Sequence, residues 1–348
     1  MKPCIAVLAA ATRVSGLHTG ASGGEPAGAP YETSPIPARE ARDSLYKEAA
    51  WAKGQFQNMK QLPISSFVAA MMMQPVLHCP LSFSRIGGTA NELQQGRYLC
   101  GLPEMFASGA RCIVYSFGSN FEWSFEAAIQ SQARKAGYEC DMHIFDPTLG
   151  PPERVGRFRE ELRPWNMRLH ETALADDGAA EVRMPVVRRA ADGAPLPSNR
   201  SVWTRYPATS LARLAAHNHS CVDILKMDVE GAELGSLGFH AARSAPPQWC
   251  AGMLLMEFHP DKLPSKYPAT LATLMAFVHW LEAAGIFLYH SEIISPARKF
   301  FGRFELAFIN TTWMTALTSR GATNSAQLRA HRAPRHARAP VESLSVKA

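Results

Sequence analysis

The 348-residue sequence lacks the features that identify several large classes of protein. It contains no run of about 18 or more apolar residues, so no transmembrane helix is expected. It has neither a Cys-x-x-Cys pair nor a Cys/His cluster at zinc spacing, and we expect no metal site. The Gly-x-Gly-x-x-Gly turn of dinucleotide-binding folds is also missing. With 47% hydrophobic and 19% charged residues, the chain still has ample material for a buried core.

The seven cysteines allow two interpretations. They are Cys4, Cys79, Cys100, Cys112, Cys140, Cys221 and Cys250. We interpret them as buried free thiols, because an unpaired cysteine behaves as a small hydrophobic side chain. The alternative is one or two disulfides in a secretory compartment, among Cys79, Cys100 and Cys112.

Both ends of the chain have the composition of unfolded segments. Residues 1–44 are rich in Ala, Gly, Ser and Pro, and we predict a disordered or targeting segment. Localisation stays open between a secretory or organellar route and the cytoplasm, because Lys2 and the apolar stretch after it form only a short signal-like pattern. Residues 318–348 hold six basic residues and one acid, which predicts a basic disordered tail without a specific nucleic-acid partner.

Between these ends the sequence pattern changes at residue 111. Residues 45–110 predict a helical N-terminal extension packed on the main domain, with an irregular stretch at 79–110. Residues 111–317 alternate short β-prone runs with helical patterns. The predicted strands are Cys112–Tyr115, Asp141–Phe145, Met167–His170, Val222–Met227, Gly252–Glu257, Ile286–Ser291 and Phe304–Ile309. This alternation predicts an α/β domain with a mostly parallel sheet, helices on both faces and an antiparallel closing pair.

One excursion interrupts the alternation. Residues 176–205 contain an Asp-Asp-Gly turn, several arginines, and Pro195 and Pro197, which favours a strand pair with a surface loop or an inserted segment. Thr270–Ala284 is predicted to be a long amphipathic helix that Gly285 ends.

Ligands of open parallel sheets bind beyond the carboxyl ends of the strands, so the residues there are candidate site residues. The turn after the first strand contains Ser116, Phe117, Gly118, Ser119 and Asn120. A glycine in this place lets the backbone approach a ligand, and the helix that follows favours a carboxylate.

An acid after the second strand and small residues after the third extend this pattern. Asp146 stands 28 positions beyond Gly118, where nucleotide-binding sheets place an acid for ribose hydroxyls, although a turn before Pro147 explains it equally well. After the third strand, Thr172 and Ala173 could flank an adenine ring.

The end of the fourth strand is unusually acidic. Asp228, Glu230 and Glu233 fall within six positions after an apolar run, with Lys226 just before them. A carboxylate at Asp228 would stabilise a sulfonium cation, whereas Glu230 and Glu233 could instead favour the next helix N-terminus. After the fifth strand comes His259, a candidate general base together with Glu230.

In their order and spacing these blocks resemble the FkbM-type methyltransferases, and more closely the methyltransferase-like protein 24 group. The resemblance covers roughly residues 79–310. It is carried by Val114–Asn120, His143–Pro147, Asp223–Glu233 and Met256–His259, with Phe125-Glu126 after the first turn. The Lys-x-Asp-x-Glu-Gly-x-Glu block is its most specific part.

The resemblance implies a Rossmann-like class I domain with a seven-stranded sheet, an antiparallel last strand, and S-adenosylmethionine as cofactor. It implies methyl transfer to a hydroxyl oxygen of a small molecule or glycan. Gly118, Ser119 and Asn120 would line the methionine half of the cofactor, Asp146 would hold the ribose, and Asp228 would lie beside the methyl group.

Two positions depart from the family pattern. Many FkbM proteins have Asp where this chain has Ser116, and a second Gly where it has Glu122. A non-catalytic binding or scaffold protein with the same fold is therefore an alternative, and Ser116 is its main support. A nicotinamide-dependent oxidoreductase is the other alternative, which the single Gly118 turn disfavours.

Overall fold

The structure is a computed structural model that describes residues 75, 77–88, 96–109, 112–150, 152–175, 180–186, 202–217, 219–239, 245–295 and 303–319. The predictions for residues 1–44, for helices in 45–73, for the Asp-Asp-Gly turn and for residues 320–348 lie outside these ranges. Among the helices in the described ranges, none has the length and apolar character needed to span a membrane.

The described elements alternate along most of the chain. The strands are β1 (Phe83–Ile86), β2 (Arg97–Cys100), β3 (Ile113–Phe117), β4 (Asp141–Phe145), β5 (Met167–His170), β6 (Ala173–Leu174), β7 (Glu181–Val186), β8 (Val202–Thr209), β9 (Val222–Met227), β10 (Ala251–Phe258), β11 (Ile286–Ser295) and β12 (Arg303–Asn310). The helices are α1 (Leu102–Ala107), α2 (Ser124–Lys135), α3 (Pro152–Leu162), α4 (Leu211–His217), α5 (Glu233–Ser236), α6 (Leu271–Ala283) and α7 (residues 311–319). Short 3-10 turns cover Arg163–Trp165 and Pro260–Lys262.

Seven strands form one sheet in the order β11-β12-β10-β9-β3-β4-β5. The pairs from β10 through β9, β3 and β4 to β5 are parallel, whereas β12 runs antiparallel to both β10 and β11. The mostly parallel seven-stranded sheet and the antiparallel closing pair are therefore confirmed.

Each face of this sheet carries its own hydrophobic core, because successive strand side chains point to opposite faces. On β3, Val114 belongs to the core that includes Ile129 of α2 and Phe158 of α3. Tyr115 belongs to the other core, which includes Phe277 of α6. Both faces of the central strands are covered by helices, so these strands are mostly apolar.

The helix predicted at Thr270–Ala284 and the strand pair predicted within residues 176–205 are both present in the structure. The Thr270 side chain accepts a hydrogen bond from the Thr273 backbone N–H and so caps the start of α6. Gly285 follows the helix end at φ 78°, a left-handed conformation that glycine adopts without strain. The predicted strand pair is present as β7 and β8, which pair antiparallel, and β6 adds a parallel third strand.

The region before residue 111 differs from the expected irregular stretch. Strands β1 and β2 pair antiparallel, with Phe83 opposite Cys100, and helix α1 follows directly. The hairpin lies on the sheet, since the Tyr289 hydroxyl of β11 donates a 2.7 Å hydrogen bond to the Tyr98 carbonyl oxygen. Two four-residue strands are too short for an alternating pattern to stand out in the sequence.

The interpretation of the cysteines as free thiols is wrong for six of the seven. The structure pairs Cys79 with Cys100, Cys112 with Cys140, and Cys221 with Cys250. The partners of Cys112 and Cys221 are 28 and 29 residues away along the chain, and strand pairing rather than sequence spacing brings them together. Cys4 lies outside the described residues.

These pairings predict the thiol chemistry of the purified protein. Alkylation without prior reduction should leave all six cysteines unlabelled, and peptide mapping should recover the three cross-linked pairs. Replacing Cys112 and Cys140 together by Ser should lower the free energy of unfolding by roughly 2–4 kcal/mol, because the open loop gains entropy when unfolded. Labelling of these cysteines in the folded, unreduced chain would contradict the pairings.

Candidate functional site

The candidate site begins where the loops after β3 and β9 cross. The Asp228 backbone N–H donates a 3.0 Å hydrogen bond to the Phe117 carbonyl oxygen. Gly118 has φ 79°, and a Cβ atom there would overlap the Asp228 carbonyl oxygen. Only glycine fits this crossing, so Gly118 brings two loops of the protein together in addition to any contact with a ligand.

Both loops contain residues in the left-handed conformation. Asn120 and Phe121 have φ 46° and 65°, and Glu230 has φ 55°. Asn tolerates this region, but for Phe and Glu it costs on the order of 1–3 kcal/mol. Backbone strain of this kind concentrates at functional sites, and here it lies at two neighbouring strand ends.

Asp146 anchors the turn after β3. Its side chain accepts hydrogen bonds from the Asn120 backbone N–H at 2.6 Å and from the Ser119 hydroxyl at 3.4 Å. The other carboxylate oxygen accepts from the backbone and hydroxyl of Thr148 at 2.8 and 2.7 Å. The residue is 2% exposed, so a ribose could bind Asp146 only if one of these protein donors moved.

The residues predicted to flank an adenine lie at the start of β6. Ala173 is buried in β6, opposite Ala208 of β8, and Thr172 just before it is half-buried. The sequence did not point to Tyr206 of β8. Burial and the negative charge of Asp146 raise the pKa of its phenol, which indicates that the ring lies near that carboxylate.

A buried ion pair lies beneath the end of β3. The Lys226 ammonium is 3.3 Å from both the Glu126 carboxylate and the Ser116 hydroxyl. The Ser116 hydroxyl also donates a short hydrogen bond to Glu126. Glu126 is 1% exposed and comes from α2. It supplies a carboxylate next to Ser116.

Removing one partner of this pair should be costly. Lys226→Met leaves the Glu126 charge buried and uncompensated, which we expect to lower the free energy of unfolding by about 3–5 kcal/mol in urea titrations. The double variant Glu126→Gln, Lys226→Met should recover much of that loss, because neither side chain is then charged. A double variant as unstable as the single one would exclude this explanation.

Four carboxylates surround the His259 ring at the ends of β9 and β10. The Nδ1 atom donates a 2.7 Å hydrogen bond to Glu233, which lies in α5. The Nε2 atom lies 3.4 Å from Glu257, 3.6 Å from Glu230 and 3.7 Å from Asp228. The residue is 0% exposed. The three predicted catalytic residues are thus in contact, and Glu233 and Glu257 join them.

This ring of carboxylates governs the protonation of its members. Burial favours the neutral imidazole, but Glu233, Glu257 and Asp228 outweigh it and raise the pKa of His259 to about 10. Burial, followed by repulsion from Glu257, raises the pKa of Asp228. Without another cation among these carboxylates the ring favours its protonated form, which has no free lone pair to accept a further proton.

Arg97 contributes to the site from outside the predicted domain. Its guanidinium lies 3.1 Å from Glu257 and 3.4 Å from Glu305 of β12, and all three side chains are buried. Arg303 adds a second contact to Glu257 at 3.4 Å. Burial raises the pKa of Glu305 to about 7 against the opposing charge of Arg97. No sequence motif marks Arg97.

Glu230 is the most accessible carboxylate of the group. Its side chain is 46% exposed, and it forms an ion pair with Lys262. A Cβ atom at Gly231, which has φ 104°, would overlap the Lys262 carbonyl oxygen. The loop after β9 is therefore held against the turn after β10.

The structure also gathers a group of metal-type donors near the amino end of β4. Asp141, His143 and His219 lie close enough to share an ion. The His143 Nε2 atom is 3.2 Å from Asp141, and the guanidinium of Arg168 lies 3.3 Å from the same carboxylate oxygen. The sequence spacing did not reveal this group or the one at His259.

Acid should destabilise the protein through His143. Burial, only partly opposed by Asp141, lowers the pKa of His143 to about 4, whereas the unfolded chain titrates near about 6.5. The unfolded state therefore binds more protons between these values, and stability should fall as the pH drops through that interval. His143→Gln should reduce this loss by on the order of 1–3 kcal/mol, measured by urea titrations at several pH values. The exposed His78→Gln serves as the control, and an equal effect from it would refute the assignment.

The sequence and the structure were compared with those of known proteins. The search among curated proteins found no match. Among solved structures, an uncharacterized ACR, COG1565 superfamily protein from Burkholderia thailandensis is similar at 12% identity, with 81% of this chain and 94% of that chain covered and a TM-score of 0.25, a likeness too low to support any conclusion here. A family model described as a methyltransferase domain (Methyltransf_22) matches residues 56–298, which is more than half of the sequence. The chain belongs to this family of methyltransferase domains.

Proposed function

We propose that the protein is an S-adenosylmethionine-dependent methyltransferase that methylates a hydroxyl oxygen of a small molecule or glycan. The observation that carries the proposal is the meeting of three strand-end elements at one edge of the sheet. The Gly118 turn lies against Asp228, and Asn120 of the same turn is hydrogen-bonded to Asp146. The strand order and the reversed β12 support a Rossmann-like class I domain, and the ordered motifs support an FkbM-type relative.

The cofactor would lie across this edge. Its methionine half would contact the turn formed by Gly118, Ser119 and Asn120, and its ribose would contact Asp146. Its adenine would lie toward Thr172, Ala173 and the Tyr206 ring. Although this chain has no Asp at position 116, Glu126 places a buried carboxylate beneath Ser116, where it pairs with Lys226.

The acceptor would approach from the side of Asp228 and Glu230. Its oxygen would attack the sulfonium methyl group in line with the breaking carbon–sulfur bond, and correct orientation can account for roughly 7–11 kcal/mol of such a barrier. Glu230 is exposed enough to accept the hydroxyl proton. His259 is a positioning residue in this scheme, because it is buried and contacts both Asp228 and Glu230.

The three disulfides support an oxidising compartment as the place where the protein works. In such a compartment glycans are abundant hydroxyl acceptors, which favours the glycan form of the proposal.

Titration calorimetry with S-adenosylmethionine tests the cofactor. The wild-type chain should bind it, and Asp146→Asn should weaken binding at least tenfold, because the amide replaces one acceptor oxygen by a donor and so breaks part of the contacts to the turn and the ribose. Asp141→Asn is the matched control, since it changes the same residue type at the opposite end of β4, and its affinity should equal that of the wild type. A folded wild-type sample without binding would exclude the enzyme and favour the scaffold alternative.

A further inference from the structure

Two buried polar atoms at the ends of β9 and β10 lack a hydrogen bond. They are Nε2 of His259 and Oδ1 of Asp228, for which the described residues offer no partner with hydrogen-bonding geometry. The two atoms are 3.7 Å apart. Buried polar atoms are nearly always satisfied, so two neighbouring exceptions suggest that a further group belongs between them.

The surrounding donors have the spacing of a coordination shell. With Glu257 included, the donor atoms of the three side chains lie within 4.8 Å of one another. Atoms bound about 2.1 Å from a tetrahedral or octahedral cation lie roughly 3.0–3.5 Å apart. The distances of 3.4 Å to Glu257 and 3.7 Å to Asp228 from Nε2 are close to this range.

The other side of the His259 ring is fixed as in metal-binding histidines. Its Nδ1 atom donates a 2.7 Å hydrogen bond to Glu233, which also accepts from the Gly231 backbone N–H at 3.0 Å. A carboxylate in this position orients the ring and directs Nε2 toward the ion.

A proton on Nε2 of His259 explains the distances to the surrounding carboxylates less well than a metal ion does. An imidazolium would direct its N–H to one carboxylate at about 2.7–2.9 Å, as Nδ1 does with Glu233. Instead, Nε2 has three carboxylates at 3.4–3.7 Å and approaches none of them closely. A divalent cation would take the place of that proton and satisfy several oxygens at once.

We propose that Asp228, Glu257 and His259 bind a divalent first-row transition-metal ion. One imidazole and two carboxylates suit Mn²⁺, Fe²⁺ or Zn²⁺ better than Mg²⁺, which prefers oxygen ligands and bound water. Three protein ligands leave coordination positions open for a substrate oxygen.

The role of the ion rests on the proposed function. A hydroxyl acceptor bound to the ion would become more acidic, and its proton would pass to Glu230. The resulting oxygen would form the new bond to the methyl carbon, while the electron pair of the carbon–sulfur bond stays on sulfur and gives the neutral thioether. The ion would thus hold and activate the acceptor beside Asp228.

Manganese binding tests the site without any turnover. The chelator-treated full chain is titrated with Mn²⁺, and free Mn²⁺ is followed by electron paramagnetic resonance. We expect one ion per chain, at least tenfold weaker binding in His259→Ala and Asp228→Asn, and about tenfold weaker binding in Glu233→Gln. Asp228→Asn keeps the side-chain shape, so it remains informative if His259→Ala fails to fold.

The second donor group provides the controls. Asp141→Asn and His143→Ala should bind Mn²⁺ as the wild type does, because both ring nitrogens of His143 already have partners, His170 at 2.9 Å and Asp141 at 3.2 Å. Absence of Mn²⁺ binding by the folded wild type, or its loss in His143→Ala with retention in Asp228→Asn, would overturn the proposal.

Calorimetry with S-adenosylmethionine in the presence of a chelator separates the metal-site hypothesis from the proposed function. If the protein binds S-adenosylmethionine but not Mn²⁺, only the metal site is excluded. If it binds Mn²⁺ but not S-adenosylmethionine, only the methyltransferase function is excluded.

Discussion

The crossing of two backbone segments at Gly118 determines the arrangement of the candidate site. The loop after β3 passes so close to the loop after β9 that a single Cβ atom would collide with the Asp228 carbonyl oxygen. This contact fixes the Asp228 backbone relative to the turn that Asp146 anchors. The proposed cofactor and acceptor regions are therefore joined through main-chain atoms, which side-chain rotation cannot separate.

Charged side chains are concentrated at this edge of the sheet, although protein interiors usually exclude them. Glu126, Glu257 and Glu305 are all buried, and each lies beside a lysine or arginine that comes from a different part of the chain. Buried ion pairs seldom add net stability, because desolvation offsets their attraction. Their presence here is better explained by a site that must hold carboxylates at fixed positions than by a demand for stability.

The sequence predicted the sheet well because its strands are buried on both faces and stand out as apolar runs. β4, β5 and β9 begin and end at the predicted residues. The positions after these strands followed from the topology of parallel sheets. Contacts that depend on side-chain direction across the fold could not be predicted in this way. Glu126 of α2 illustrates this, since it reaches beneath Ser116 from a neighbouring helix.

The cysteines and the hairpin were misread for a related reason. Cys112 and Cys140 precede adjacent parallel strands, so their proximity is a property of strand order and not of local sequence. Strands β1 and β2 have four residues each, and β2 brings Arg97 to the site. Neither feature produces a periodic pattern, and periodicity is what sequence reasoning detects best.

Arg97 also bears on where the folded unit begins. The alternation of strands and helices suggests a start at residue 111, but a protein truncated there would keep Glu257 and Glu305 and lose the guanidinium between them. It would also lose Cys79 and Cys100, which join the ends of the hairpin region. A residue that contacts the candidate site thus precedes the first parallel strand of the fold. The shortest fragment of the protein that keeps the complete site must therefore include this N-terminal hairpin.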